Sequence, residues 1–229
     1  MAISAMFCKS YAKLYDLFNM EKPYKKEVGF VYKWGKKPKS ILDIGCGTAI
    51  YWKYYPKHVH LFGVDKSQSM IDTSFMREII RGDITKLKID SSFDCATALF
   101  DVINYIPKHD WWKNLPIKKG GYFIFDIWDK EKVDRDGFRE TFKEISGIKR
   151  TISPSKIYLG TALELDDDYD GRRVNLNVNF CDGFKWFSER HTMYVHSHED
   201  ILKFCGKEFE VVDIKPTKTW QKWYKLRRK

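Results

Sequence analysis

The stretch Ile41-Leu-Asp-Ile-Gly-Cys-Gly-Thr48 decides the fold. A short apolar run ends in an acid and two glycines one residue apart. A turn without side-chain bulk brings backbone N–H groups, and the start of the next helix, close to a ligand. A second apolar run, His60-Leu-Phe-Gly-Val-Asp65, reads as a buried parallel strand ending on a carboxylate. Nucleotide sites of this layout grip ribose hydroxyls there. The pair points to a nucleoside-containing cofactor.

A dinucleotide fingerprint needs a third glycine three residues after the second, and position 50 is Ile. Asp43, two residues before Gly45, is badly placed for a pyrophosphate but well placed for a cationic amine. S-adenosylmethionine has such an amine, a sulfonium and no phosphate. At this point the residues resemble the class I S-adenosylmethionine-dependent methyltransferases.

The resemblance implies that the turn of Asp43, Gly45, Cys46 and Gly47 holds the methionine end, and that Asp65, with Lys66 beside it, binds the ribose. Gly63–Ile71 looks like the family's second segment, which places Met70 on one face of the adenine. Arg81-Gly-Asp-Ile84 looks like its third: Asp83, after Gly82, accepts from the adenine amino group and Ile84 offers its N–H. Phe93–Tyr105 looks like strand 4 and the loop facing the transferred methyl, with Leu99, Phe100 and Asp101 in that loop. Gly120–Ile127 looks like strand 5. The motifs occur in the family's order over residues 11 to 130.

The periodicity predicts an α/β fold, a doubly wound, mostly parallel seven-stranded sheet with a small antiparallel sheet inserted after strand 5. Phe7, Tyr11, Leu14, Tyr15 and Phe18 recur at spacings of three and four, an amphipathic helix over residues 7–18. In similar enzymes such a helix lies over the cofactor, which makes Tyr11 and Tyr15 candidates for the methionine end, with core packing the alternative. Strands are expected at 41–44, 60–65, 77–81, 93–99 and 121–127. Period-2 alternation over 156–163, 173–180 and 185–195 predicts the inserted sheet. A helix from Ser197 to Cys205 and strands at 209–214 and 219–226 complete the core. The expected organisation is a single methyltransferase domain: lid helices at 1–35, core at 40–130 and 197–229, and a substrate-side sheet at 148–196.

Composition fits one globular domain. With 43% hydrophobic and 16% aromatic residues, 229 residues can bury a sizeable core. No apolar run has the length of a membrane span, and Lys9 and Lys13 interrupt the N-terminal stretch. The cysteines at 8, 46, 95, 181 and 205 form no Cys-x-x-Cys pair, which argues against a zinc site and for a reducing, cytoplasmic setting. Asp166-Asp-Asp-Tyr-Asp-Gly171 opens like a calcium loop, but position 177 is Asn where a glutamate is required. A hairpin turn is the better reading, and no metal is expected.

The net charge of +10 invites a nucleic-acid partner, but the lysines are spread along the chain. Strand 4 ends in Leu99-Phe-Asp-Val102, not in the Asn/Asp-Pro-Pro-Tyr element common among enzymes that methylate base amines. An inserted sheet over the methyl group resembles methyltransferases acting on amines of amino sugars and small amino acids. The expected reaction is methyl transfer to a small-molecule acceptor, an amine, by in-line displacement, with proximity supplying most of the catalysis. Asp101, Asn104, Asp126 and His191 are candidates for keeping the amine unprotonated, and Asp101 and His191 are placed in the catalytic role. Asp101 has a helix N-cap as its alternative, and His191, in the Glu-x-His element Glu189–His191, a purely structural role. The rival readings are an RNA or protein methyltransferase using the basic surface, and a non-catalytic cofactor-binding partner.

Overall fold

The computed structural model describes residues 3–4, 6–108, 110–136, 149–152, 157–165, 169–182, 186–217 and 220–229. In chain order the elements are β1 (Ile3–Ser4), α1 (Lys9–Phe18), α2 (Tyr24–Trp34), β2 (Ser40–Ile44), β3 (His60–Asp65), α3 (Gln68–Thr73), β4 (Ile79–Arg81), β5 (Phe93–Ala98), β6 (Ile117–Trp128) and α4 (Lys130–Asp136). Then come β7 (Lys149–Ile152), β8 (Ile157–Leu165), β9 (Arg173–Asp182), β10 (Trp186–Tyr194), α5 (His198–Cys205), β11 (Phe209–Pro216) and β12 (Gln221–Arg228). Short 3-10 turns sit at Ile50–Tyr54, Val102–Tyr105 and Asp110–Asn114.

The main sheet has seven strands in the order β11-β12-β6-β5-β2-β3-β4. The pairs from β4 to β6 are parallel, and β12 and β11 complete the sheet antiparallel. Its central strands are mostly apolar on both faces because both faces are covered. Leu42, Ile44, Phe123 and Phe125 face one cluster with Trp112, Ile201 and Tyr224. Ile41, Tyr122 and Ile124 face the other with Val28 and Val31 of α2. This is the period-2 consequence of the pleat. The chain reverses strand order between β3 and β5, on either side of β2, and open α/β sheets bind ligands at the carboxyl ends of such strands.

The second sheet runs β1-β10-β9-β8-β7, antiparallel except for β1, which lies parallel to β10. It joins the core through Trp128, Val174, Leu176, Met193 and Val195. Helix α1 packs onto it through Tyr11 against Val178 and Phe180.

The observed elements follow the expected order with local differences. The fourth strand of the chain is three residues long, 79–81, rather than five. The glycine turn leads into a 3-10 helix, not a full α-helix, after Ala49 takes a left-handed conformation (φ 59°). Helix α1 starts at Lys9 because Phe7 is itself left-handed (φ 53°) and turns the chain. The two residues of β1 are too few for any pattern, so their pairing with the inserted sheet was not legible. The final strand ends at Arg228, two residues beyond the expected end. The calcium-like run begins at 166–168, which lie outside the described residues, although the flanking β8 and β9 pair antiparallel as a hairpin requires.

Candidate functional site

The site forms at the carboxyl ends of β2, β3, β5 and β6. Gly45 and Gly47 adopt φ of 64° and 55°, a region that L side chains avoid. A Cβ on Gly45 would lie 2.6 Å from a Val102 methyl, and one on Gly47 would lie 3.1 Å from the Met70 methyl. The backbone of the turn therefore lies bare against both neighbours. Its floor is Gly63 on β3, where a Cβ would meet the Cys46 sulfur at 2.7 Å.

Asp43 is buried and accepts from Trp52 Nε1 at 2.7 Å and Thr97 Oγ1 at 2.8 Å. Burial pushes its carboxyl up to about 6 in spite of these donors. Asp65, at the end of β3, accepts from Gly47 N and from Ser67 N, each at 2.8 Å, and burial raises it above the ordinary carboxylate value. Ser67 in turn caps α3 by accepting from Met70 N at 3.2 Å, which seats the buried Met70 beside Gly47. Burial pushes the Cys46 thiol up, so it is a packing group rather than a nucleophile.

Next along the sheet edge, Gly82 N donates to Asp65 O at 2.9 Å. Asp83 accepts from the amide and hydroxyl of Thr85 and stands 3.5 Å from the exposed Lys66. Burial works against its ionisation, but the Thr85 donors and Lys66 outweigh it and hold its carboxyl below the ordinary value. Ile84 is half-buried against the core.

On the other side of the turn, Leu99 is buried, and Phe100 and Asp101 are consecutive left-handed residues (φ 69° and 64°). Such strain persists only where the surroundings enforce it. Asp126, at the end of β6, accepts from Phe100 N at 2.7 Å and Asp101 N at 3.0 Å. The side-chain amide of Gln221 on β12 donates to both Asp101 and Asp126 at 2.8 Å. Burial raises both carboxyls, and for Asp126 the neighbouring Asp101 raises it further. Two acids bridged by one amide resist ionising together. Asp101 sits at the N-cap position of the 3-10 turn at 102–105 but makes no capping bond. Lys22, paired to Glu27 at 3.0 Å, stands 4.3 Å above the Phe100 ring.

Helix α1 crosses this edge. Tyr15 packs edge-on against Phe7 and tilted to Phe100 at 6.3 Å each. Burial first, then the phenols of Tyr11, Tyr24 and Tyr105 and the Asp101 carboxyl, push its phenol well above the ordinary value. Asp16 accepts from the Thr48 hydroxyl of the glycine turn at 2.5 Å, and Ser67 Oγ donates to Phe7 O at 3.1 Å. His191 faces inward and is 2% exposed. Its Nδ1 meets Tyr105 Oη at 2.7 Å and its Nε2 meets a Glu189 carboxylate oxygen at 3.1 Å. A carboxylate only accepts, so Nε2 carries the proton and, in a neutral ring, Nδ1 accepts from Tyr105.

The residues read from sequence thus converge on one sheet edge: the turn at 43–47, then 65, 70, 82–84 and 99–101, with Tyr15 above. His191 lies on the inserted sheet and reaches this edge only through Tyr105. Thr48, Asp16, Tyr105, Asp126 as a turn anchor, and Gln221 carry no sequence signal of their own beyond lying next to a motif. Among the described residues no group of His, Cys, Asp and Glu is arranged to hold a metal ion, and no helix is long and apolar enough to cross a membrane.

Residues 41–116 match the methyltransferase domain family. A protein of Geobacillus sp. (strain WCH70) that carries a provisional methyltransferase name is 30% identical over 149 residues, 56% of this chain. The match spans 60% of that relative's length. Among solved structures, an S-adenosylmethionine-dependent methyltransferase from Clostridium acetobutylicum ATCC 824 superposes with a TM-score of 0.70 at 23% identity, covering 95% of this chain and 97% of that one. The sugar N-methyltransferase KedS8 from Streptoalloteichus sp. ATCC 53650 gives 0.74 at 17%, covering 94% and 93%. Residues 41–116 are thus similar to the methyltransferase domain family, and the chain has the fold of the solved S-adenosylmethionine-dependent methyltransferases it superposes on.

Proposed function

We propose that the chain binds S-adenosylmethionine and transfers its methyl group to a small-molecule amine. The observation that carries the reading is the Asp65 carboxylate tied to the bare Gly45–Gly47 turn after the neighbouring strand, a cradle in which an added Cβ would clash with Val102 at Gly45 and crowd Met70 at Gly47. The residues fit the cofactor. Asp65 would take the ribose hydroxyls, Met70 one face of the adenine, and Asp83 and Ile84 its edge. Asp43, already taking two donors, supports the turn that would hold the methionine end. When bound, the cofactor supplies an electrophilic methyl group on a sulfonium.

The chain's own part is to orient an acceptor, exclude water and receive a proton. Helix α1 and the inserted sheet roof the edge, in the lid and substrate-side roles assigned to 1–35 and 148–196. An amine attacks only through a neutral lone pair. Burial makes Asp101 a stronger base than a carboxylate in water, and so a better proton acceptor beside that amine. Similarity over most of its length to a protein described as a sugar N-methyltransferase supports an amine on a small polar molecule. The test is transfer of radiolabelled methyl from S-adenosylmethionine to a panel of amino sugars, small amino acids, RNA and protein. Label in an amine supports the proposal. Label in RNA or protein, with none in the small amines, overturns it.

A further inference from the structure

Glu189 is 0% exposed, and no Lys or Arg pairs with it among the described residues. Burying an ionised carboxylate is costly unless donors compensate. Its donors come from two places. Oε1 accepts from Cys8 N and Oε2 from Phe7 N, both at 2.7 Å, across 181 and 182 residues of sequence. Oε2 also takes His191 Nε2 at 3.1 Å. Cys8 is the N-cap of α1, yet no side chain of that segment caps the helix. The carboxylate from the inserted sheet instead takes the amides of the N-cap residue and of the residue before it, at the end where a helix favours negative charge. Beside it, β1 pairs with β10 at Ser188 and Glu189 itself.

The same helix touches the cofactor turn at its other side. Thr48 Oγ1 donates to Asp16, and Ser67 Oγ donates to Phe7 O in the very residue whose N–H Glu189 holds. The rings of Phe7 and Tyr11 stand edge-on to His191 at 5.1 and 6.3 Å. One carboxylate therefore fixes the start of α1, and with it the contacts to residues 48 and 67, while it also fixes the imidazole.

We propose that Glu189 is a positioning residue that couples the two halves of the site: it holds α1 closed over the cofactor turn and orients His191 on the acceptor side, so that cofactor binding and assembly of the acceptor pocket occur together. The proposal rests on the cofactor reading above.

The test uses the full chain and S-adenosylhomocysteine as probe. Glu189→Gln keeps the shape and one acceptor oxygen, but its amide nitrogen must face at least one of the three donors. The expected result is a cooperative melt, roughly tenfold weaker S-adenosylhomocysteine binding by calorimetry, and faster amide exchange at Phe7, Cys8 and along α1. Exchange in β2 stays as it was. Unchanged affinity together with unchanged exchange in α1 would overturn the proposal while leaving the cofactor reading intact. If the unaltered chain fails to bind the probe, the cofactor reading falls, and the exchange comparison between the two chains decides Glu189 alone. Should the variant not fold, exchange in the unaltered chain decides: Phe7 and Cys8 amides protected, and slowed further by the probe, support the latch, and unprotected amides there refute it.

Discussion

The Gly47 amide donates to Asp65 at 2.8 Å, so the glycine turn after β2 and the acid ending β3 form one structural unit. The carboxylate that would grip a ribose also sets the height of the turn beneath it.

Gly45→Ala tests that geometry. The new Cβ meets Val102 at 2.6 Å in a conformation with φ of 64°. We expect a loss of about 2 kcal/mol and a fall in Tm of roughly 4–8 °C for a chain of this size. Thermal melts followed by circular dichroism read it, and a melt unchanged from the parent would mean that the turn adapts.

Asp43 gives a pH signature. Its folded carboxyl is raised to about 6 by burial, above the unfolded value, so the folded state binds the proton more tightly. Its contribution is present in full below about pH 4 and is lost as pH rises toward 6, an amount on the order of 3 kcal/mol. In Asp43→Asn this component vanishes. The stability of the parent minus that of the variant, from urea titrations between pH 4 and 7, should therefore decrease with rising pH. A difference that is flat or rises would contradict the burial argument.

Much of this was legible in the sequence, for physical reasons. Buried parallel strands such as 41–44 and 60–65 are mostly apolar short runs, and a glycine turn or a terminal acid marks their ends. The order of motifs then singled out 65, 70, 83 and 99–101, which lie together at one sheet edge. The partnerships were not legible. Nothing in Gln221, at the polar start of β12, announces that it bridges Asp101 and Asp126. His191 could be placed on a strand but not on a face, because one residue of register reverses the answer. Glu189 was visible only as part of Glu-x-His, since its partners Phe7 and Cys8 lie at the opposite end of the chain.

Asp126→Asn probes the strained loop. Phe100 N–H keeps an oxygen acceptor, whereas Asp101 N–H and the Gln221 amide then face a nitrogen that donates. Leaving buried donors unpaired costs about 1–3 kcal/mol. Urea unfolding should show that loss, and methyl transfer to an acceptor found in the panel should fall as Asp101 leaves its position. Parental stability and turnover would show that Phe100 and Asp101 hold their conformation without Asp126.

The central claim is tested most directly by titrating S-adenosylhomocysteine into the parent chain and into Asp65→Ala by calorimetry. The parent should bind, and the variant should bind at least about tenfold more weakly, because hydroxyl donors to a carboxylate are worth about 1.5–3 kcal/mol each. Circular dichroism should show the same secondary structure in both. Equal affinity in the two chains, or no binding by the parent, would contradict the account.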